Sequence, residues 1–262
     1  MVVNRGDGML MPGNPKDARS RVELLWGEGR DRSRGPRPRL SLERIAATAI
    51  EIADADGLDA VSMQRVAKEL GYTTMSLYRY VPDKDQLIEV MLDHCAGEPP
   101  PAPDSGCWRA DVEAWVHGLW QLYTEHPWML RVRISAPPMG PGQLQWLEAV
   151  LAPLARSGLA DAELVPVATM LLGMVRQFAA LATDMTDNRE QLGISTAEAE
   201  AEYEATLRRF VTEDRFPTLA RLTEGRVFRP SGLADSGIGL DLEFGLKRFL
   251  DGVESYVGGR AR

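Results

Sequence analysis

The stretch from Ser62 to Val81 constrains this 262-residue chain more than any other. It reads Ser62-Met63-Gln64-Arg65-Val66-Ala67-Lys68-Glu69-Leu70-Gly71-Tyr72-Thr73-Thr74-Met75-Ser76-Leu77-Tyr78-Arg79-Tyr80-Val81. Ser62 is placed to cap a helix that turns Val66, Ala67 and Leu70 inward and stops at Gly71, a residue free to take positive φ. Thr73 then caps a helix of only about two turns, ending near Tyr80. Leu77, with Met75 or Tyr80, anchors it, and hydroxyls, phenols and a guanidinium take the remaining positions. A helix broken at a glycine and followed at once by a short polar-faced helix is what a helix-turn-helix needs to lay side chains into a major groove. Short capped helices also fit an ordinary small bundle, so capping alone does not choose between the two.

The flanks extend the pattern. Ser41 caps a helix from Leu42 to about Asp56, with Leu42, Ile45, Ala46, Ala49, Ile52 and Ala53 in one apolar stripe and Gly57 at its end. Asp83 opens a fourth helix with Gln86 three positions later, the spacing of a capping box. The class expected is all-α.

With these residues in place, the run from Leu40 to Cys95 resembles, without a gap, the amino-terminal domain of the tetracycline-repressor (TetR) family of transcription regulators. The signature lies in Ala67-Lys68-Glu69-Leu70-Gly71 and in Ser76-Leu77-Tyr78-Arg79-Tyr80-Val81-Pro82-Asp83-Lys84-Asp85-Gln86-Leu87. The resemblance implies a homodimer on a palindromic operator in double-stranded DNA, released by a small molecule bound in a second domain. It also implies contact positions. Gln64 and Arg65 fall where the second helix meets a phosphate or a base edge. Thr74, Ser76 and Arg79 fall on the base-facing side of the recognition helix, and Tyr78, Tyr80 and Lys84 toward the backbone. The chemistry agrees, since arginine can donate two bonds to a guanine edge and hydroxyls serve base or phosphate. The window Tyr72–Met75 varies in the family, so it does not spell out an operator.

Charge runs against a duplex binder in the head and for one upstream of it. Residues 40–93 hold five basic side chains against ten acidic, a net of −5, whereas residues 1–39 hold nine basic against five acidic. The run Arg30-Asp31-Arg32-Ser33-Arg34-Gly35-Pro36-Arg37-Pro38-Arg39 lacks apolar periodicity, and residues 1–39 as a whole are expected to form a disordered basic arm. Arg32, Arg34, Arg37 and Arg39 are expected to enter an adjacent minor groove; a solvated tail is the alternative.

Composition bounds the rest. The length suits two modest domains with tails. Charges are expected to interrupt every apolar run short of membrane-spanning length, and the amino terminus lacks the continuous apolar segment of a secretory signal. A cytoplasmic protein without a membrane partner is therefore expected, with Cys95 and Cys107 as thiols. The overall charge of −8 suits a soluble protein. Residues 96–106 are Pro-rich and read as a semi-rigid linker.

Residues 107–257 read as a larger helical ligand-binding and dimerisation domain. Val112, Trp115, Val116, Leu119, Leu122 and Tyr123 make one stripe, ended at His126-Pro127. Trp128 to Ile134 reads as a short helix, and Leu144, Leu147, Val150, Leu151 and Leu154 mark another. Ala162 to Met185 is apolar nearly all round, as a helix buried on two sides is; a core helix of a monomer reads the same way. A polar helix runs to about Thr212, a short one covers about Pro217–Glu224, and Asp241 opens the last. Around Glu125-His126-Pro127-Trp128 this half resembles, more loosely, the carboxy-terminal domain of the tetracycline-repressor branch. There the counterparts of 162–185 and 241–257 form a four-helix bundle with the partner chain.

Ligand-binding candidates follow from side-chain chemistry. Trp115, Trp120, Trp128, Met129, Trp146, Met170, Met174 and Phe178 suit a flat, polycyclic aromatic or polyketide-like compound, although core packing explains most of them individually. His117 and Tyr123 lie near that set. Arg176 and Gln177 are polar on an apolar helix, and a guanidinium there must find a partner, structural or ligand. The three histidines and two cysteines show no zinc spacing, and nucleophile elbows, phosphate loops and dinucleotide fingerprints are missing from the sequence. No cofactor, metal or enzymatic activity is expected. The reading is a ligand-responsive repressor, with an efflux or antibiotic-related gene as its target. The alternatives are a regulator without a small-molecule ligand and a helical adaptor without DNA affinity.

Overall fold

The computed structural model describes residues 22–27, 40–100, 106–134, 136–228 and 239–260, and every regular element among them is helical. Arg32, Arg34, Arg37 and Arg39 lie outside the described residues, as do linker residues 101–105. The chain divides into two compact units, residues 1–99 with 132–148 and residues 100–131 with 149–262. The first unit therefore takes in residues 132–148, which the sequence pattern assigns to the second domain.

In the first unit, α1 (Leu42–Asp56) is capped by Ser41 and ends at Gly57, whose φ is 82°. Its stripe of Ile45, Ala46, Ala49, Ile52 and Ala53 packs against α2 (Met63–Leu70) and the fourth helix, α4 (Lys84–Ala96). Gly71 closes α2 in the left-handed region, φ 74° and ψ 29°, a conformation that any Cβ opposes. Three residues later α3 (Thr74–Tyr78) begins, shorter than the two turns expected from sequence. Asp83 caps α4, accepting from the Gln86 amide at 2.8 Å. The box is only half built: Gln86 Nε2 donates to the Asp83 carboxylate at 3.1 Å, and the buried Gln86 Oε1 has no hydrogen-bond partner.

Two features of this unit differ from the expectation drawn from sequence. Residues 22–25 are helical, and Trp26 Nε1 donates to the Met139 carbonyl at 2.9 Å, so part of the segment expected to lack structure is folded. The apolar cluster Val22, Leu24, Leu25 and Trp26 is the sequence signal for it. The second feature joins the end of α4 to the start of α6 (Pro141–Ala155). The Asp93 carboxylate accepts from the Gln143 amide at 3.0 Å, acting as a cap supplied by another helix. Three residues on, Trp146 Nε1 donates to the Ala96 carbonyl at 2.7 Å. Burial pushes the Asp93 carboxyl up from its ordinary range, against the pull of the Gln143 and Gly142 amides. Gly140 and Gly142 make the approach possible, because a Cβ on either falls inside van der Waals contact with Asp93.

In the second unit, α5 (Trp108–Glu125) packs along α7 (Asp161–Leu192), and α10 (Leu240–Arg260) lies against α7 and buries Leu242, Leu246, Leu250 and Val253. A 3-10 turn at Pro127–Arg131 replaces the helix expected over Trp128–Ile134. On α5 the buried Asp111 carboxylate is paired with Arg156. α8 (Thr196–Phe210) has the full capping box of Ser195 and Glu198, and it packs on α9 (Pro217–Glu224).

α7 differs from expectation in two ways. It runs past Met185 as a polar helix to a left-handed Gly193, with Asp184 and Asp187 within reach of Arg131. Its apolar part is also long enough, by length and composition, to cross a bilayer, since Arg176 is the lone charge between Leu164 and Ala182. The expectation that charges break every such run is corrected. Ala168, Leu171, Val175 and Ala179 are buried on one side of α7, while Val165, Met170, Leu181 and Met185 are exposed elsewhere on it.

The Asp93 junction makes two different collisions testable. Gly140→Ala meets the Asp93 side chain, whereas Gly142→Ala meets the Asp93 backbone carbonyl. Both are expected to lower the melting temperature, at a cost of about 1–3 kcal/mol each. Adding Asp93→Ala relieves the first collision but not the second, so thermal melts of the two double variants should show non-additivity for Gly140 alone.

Candidate functional site

A helix of five residues makes too few internal bonds to stand alone, so α3 depends on its neighbours. Thr73 caps it, accepting from the Ser76 amide at 3.3 Å, and the Thr73 and Ser76 hydroxyls share a hydrogen bond of 2.9 Å. Leu77 is fully buried (0 % exposed) and is the side chain that pins the helix. Tyr80 is half-buried, and Met75, the other anchor that apolar character suggests, is 74 % exposed. The reason is geometric: at about 100° per residue, Met75 stands about 200° from Leu77 and cannot share its face.

The predicted DNA-facing residues of the head are gathered on α2, on α3 and at the ends that flank them. Gln64, Tyr78 and Arg79 are exposed, and Thr74, Ser76 and Lys84 are half-exposed. Arg65 is tied by its guanidinium to the Asp56 carboxylate at the end of α1. That pair links α2 to the end of α1 at the surface, where the apolar packing of the two helices sets their placement.

The predicted ligand residues are less unified. Trp115, Tyr123 and Trp128 are buried in the second unit. Met174 and Phe178 are half-buried on α7, and His117 and Gln177 are exposed. Met170 is 63 % exposed and stands on α7 with the exposed Val165, Leu181 and Met185. Trp146 falls in the first unit, where its indole is spent on the Ala96 carbonyl. Of two shallow depressions on the second unit, one is lined by the candidate Trp120 together with Gln121, Thr124 and Glu125 on α5, and the other by Arg208, Val211 and Thr223 around α8 and α9.

Arg176 has a defined partner. From α7 it donates to the Met129 carbonyl at 3.2 Å and the Leu130 carbonyl at 2.9 Å, groups that a short turn leaves without helical donors. Its guanidinium lies 6.0 Å from the centre of the Tyr123 ring. Burial pushes the Tyr123 phenol up, and the adjacent guanidinium acts in the opposite sense. The arginine thus staples the 127–131 turn to α7. Arg176→Ala should destabilise the protein by about 2 kcal/mol, and hydrogen exchange should show faster opening at residues 127–131 than in the head.

Comparison with known proteins gives the geometry its context. Residues 45–91 match the family model of bacterial regulatory proteins, tetR family, and residues 100–257 match that of the tetracyclin repressor-like C-terminal domain. The chain is 39 % identical over 244 residues to the HTH-type transcriptional repressor DrrR1 of Streptomyces coeruleorubidus, covering 91 % of this chain and 86 % of that one. It superimposes on apo ActR of Streptomyces coelicolor with a TM-score of 0.71 at 25 % identity, over 86 % of this chain and 100 % of the other. Against ActR in complex with actinorhodin the TM-score is 0.68 at 28 % identity, covering 82 % and 95 %. The chain belongs to the TetR family of bacterial transcription regulators and is a helix-turn-helix DNA-binding protein rather than an enzyme.

Proposed function

We propose that the chain is a ligand-released repressor that binds a palindromic operator as a homodimer. The observation that carries this reading is the recognition unit itself: a left-handed Gly71, a Thr73 cap and a buried Leu77 holding α3 with its polar face open, in a chain that matches a repressor over nearly its whole length. One such helix touches too few base pairs to specify an operator, and two-fold symmetry doubles them at a spacing of roughly 34–36 Å. The dimer surface is assigned to α7 and α10, where Met170, Leu181 and Met185 form an exposed apolar stripe on α7 and Phe244 is exposed on α10.

Gln64, Arg65, Thr74, Ser76, Tyr78, Arg79, Tyr80 and Lys84 contact the duplex, and Arg32, Arg34, Arg37 and Arg39 extend that contact into the minor groove. The acidic head makes such an arm useful, because affinity must come from local groups rather than from net charge. Like other repressors, the protein works where the chromosome is, in the cytoplasm.

The ligand is a polycyclic aromatic compound of the polyketide type. Support comes from ActR, which takes actinorhodin, and from the aromatic interior of Trp115, Tyr123, Trp128 and Phe178. The ligand acts by favouring a state in which the two recognition helices no longer match the groove spacing, with α4 as the element that shifts. Differential affinity for that state is required, since equal binding to both shifts nothing. An efflux or antibiotic-related gene is the target that suits such an inducer.

Two measurements test the reading. A duplex enriched by the full chain from a randomised library should be palindromic and bound two chains at a time, and actinorhodin or a related polycyclic polyketide should release it in a gel shift. A bound monomer, or a complex indifferent to every compound of this class, would overturn it. Replacing Arg32, Arg34, Arg37 and Arg39 together by glutamine, which leaves the Trp26 contact in place, should weaken binding and flatten the salt dependence by about 0.9 for each phosphate the arm neutralises; an unchanged slope removes these arginines from the interface.

A further inference from the structure

The recognition helix carries one side chain that hydrogen bonding does not explain. Met75 is the most exposed large apolar residue among the described residues, at 74 %. Isolated apolar residues on a surface are ordinary. This one stands on a five-residue helix, about 200° around from the buried Leu77, so it points away from the protein where the helix faces its target. Arg79, four residues on and also exposed, shares that face. The neighbouring hydroxyls are partly committed: Thr73 and Ser76 are bonded to each other, and Thr73 also caps the helix. The outward tip of α3 therefore presents a thioether beside a guanidinium, rather than a uniformly polar surface.

A major groove offers a single apolar group along its base edges, the C5-methyl of thymine. A flexible, polarisable thioether is well suited to pack on it. We propose that Met75 reads a thymine methyl in each operator half-site, next to the base edge that Arg79 addresses. The inference rests on the operator-binding reading above and adds a base preference to it. It requires no hydrogen bond. Met75 excludes water from the methyl, and cytosine, which displays a polar amine and no methyl, is disfavoured at that position.

The test uses the full chain and the duplex it enriches from a randomised library. Each thymine is replaced in turn by deoxyuridine, which removes the methyl and leaves base pairing intact. For the natural protein, one symmetry-related pair of positions should be sensitive. Removal of one buried methyl weakens binding about fourfold, and removal of both about 15-fold. Met75→Ala should bring that penalty within about twofold while leaving the other positions unchanged. Met75→Leu, which keeps an apolar tip, should retain the penalty, and Met75→Gln, similar in length but polar, should abolish it. Circular dichroism of each variant checks that the exposed position leaves the fold intact. The proposal is overturned if the natural protein binds the duplex but is indifferent to deoxyuridine everywhere, or if Met75→Ala keeps the full penalty. Failure to enrich any duplex would instead overturn operator binding itself, and the inference with it.

Discussion

The burial of Leu77 is the contact on which the head depends. A five-residue helix forms at most a turn of internal hydrogen bonds, far short of the length at which a helix holds itself together. α3 therefore keeps its place only because Leu77 is buried in the core that α1, α2 and α4 build, and because Gly71 brings the chain round tightly enough to put it there. The polar and apolar tips of α3 inherit their direction from that one anchor. A short recognition helix can thus be aimed as firmly as a long one, provided its inward residue is fully enclosed and its first turn is capped.

Electrostatics sharpens the same point. A head with twice as many acidic as basic side chains repels a duplex at long range, so attraction must be concentrated in a few groups close to the phosphates. The Arg65–Asp56 pair illustrates the compromise: the carboxylate that adds to the repulsion also pairs with a guanidinium on α2. An apolar reading contact, such as the one assigned to Met75, gains by desolvation and does not compete with the negative field at all.

Much of this is legible in the sequence, for reasons that differ by residue. Ser41, Ser62, Thr73 and Asp83 are readable as caps because capping is a local hydrogen bond between residues two or three apart. The stripe of α1 is readable because burial on one face leaves a period. What the pattern does not carry is partnership between distant segments. Trp146 looks like a pocket aromatic, yet its indole satisfies the last turn of α4, fifty positions away. The Gly140-Pro141-Gly142 run holds the available clue, since paired glycines beside a proline mark a place where another backbone comes close. Met75 departs from expectation for a simpler reason: apolar character suggests an anchor, while the helical angle from Leu77 excludes it. The full length of α7 is hidden because apolar periodicity ends at Met185, whereas the helix continues on polar and charged residues.

Arg176 shows how a polar residue on an apolar helix can belong to the fold and, on the proposed function, also be a point where a ligand acts. Its bonds to the Met129 and Leu130 carbonyls complete a turn from outside, at the end where a short turn runs out of helical donors. A turn held in this way by one side chain is stable while the side chain is in place and loses two bonds together when it leaves. The buried Tyr123 ring lies against the same guanidinium. On the proposed reading of a ligand-released repressor, a flat ligand that engaged either group would compete with the staple directly, and its binding would be expressed as a change in the 127–131 turn. Such coupling would need no large cavity in advance, because opening the staple and making room for the ligand would be the same event.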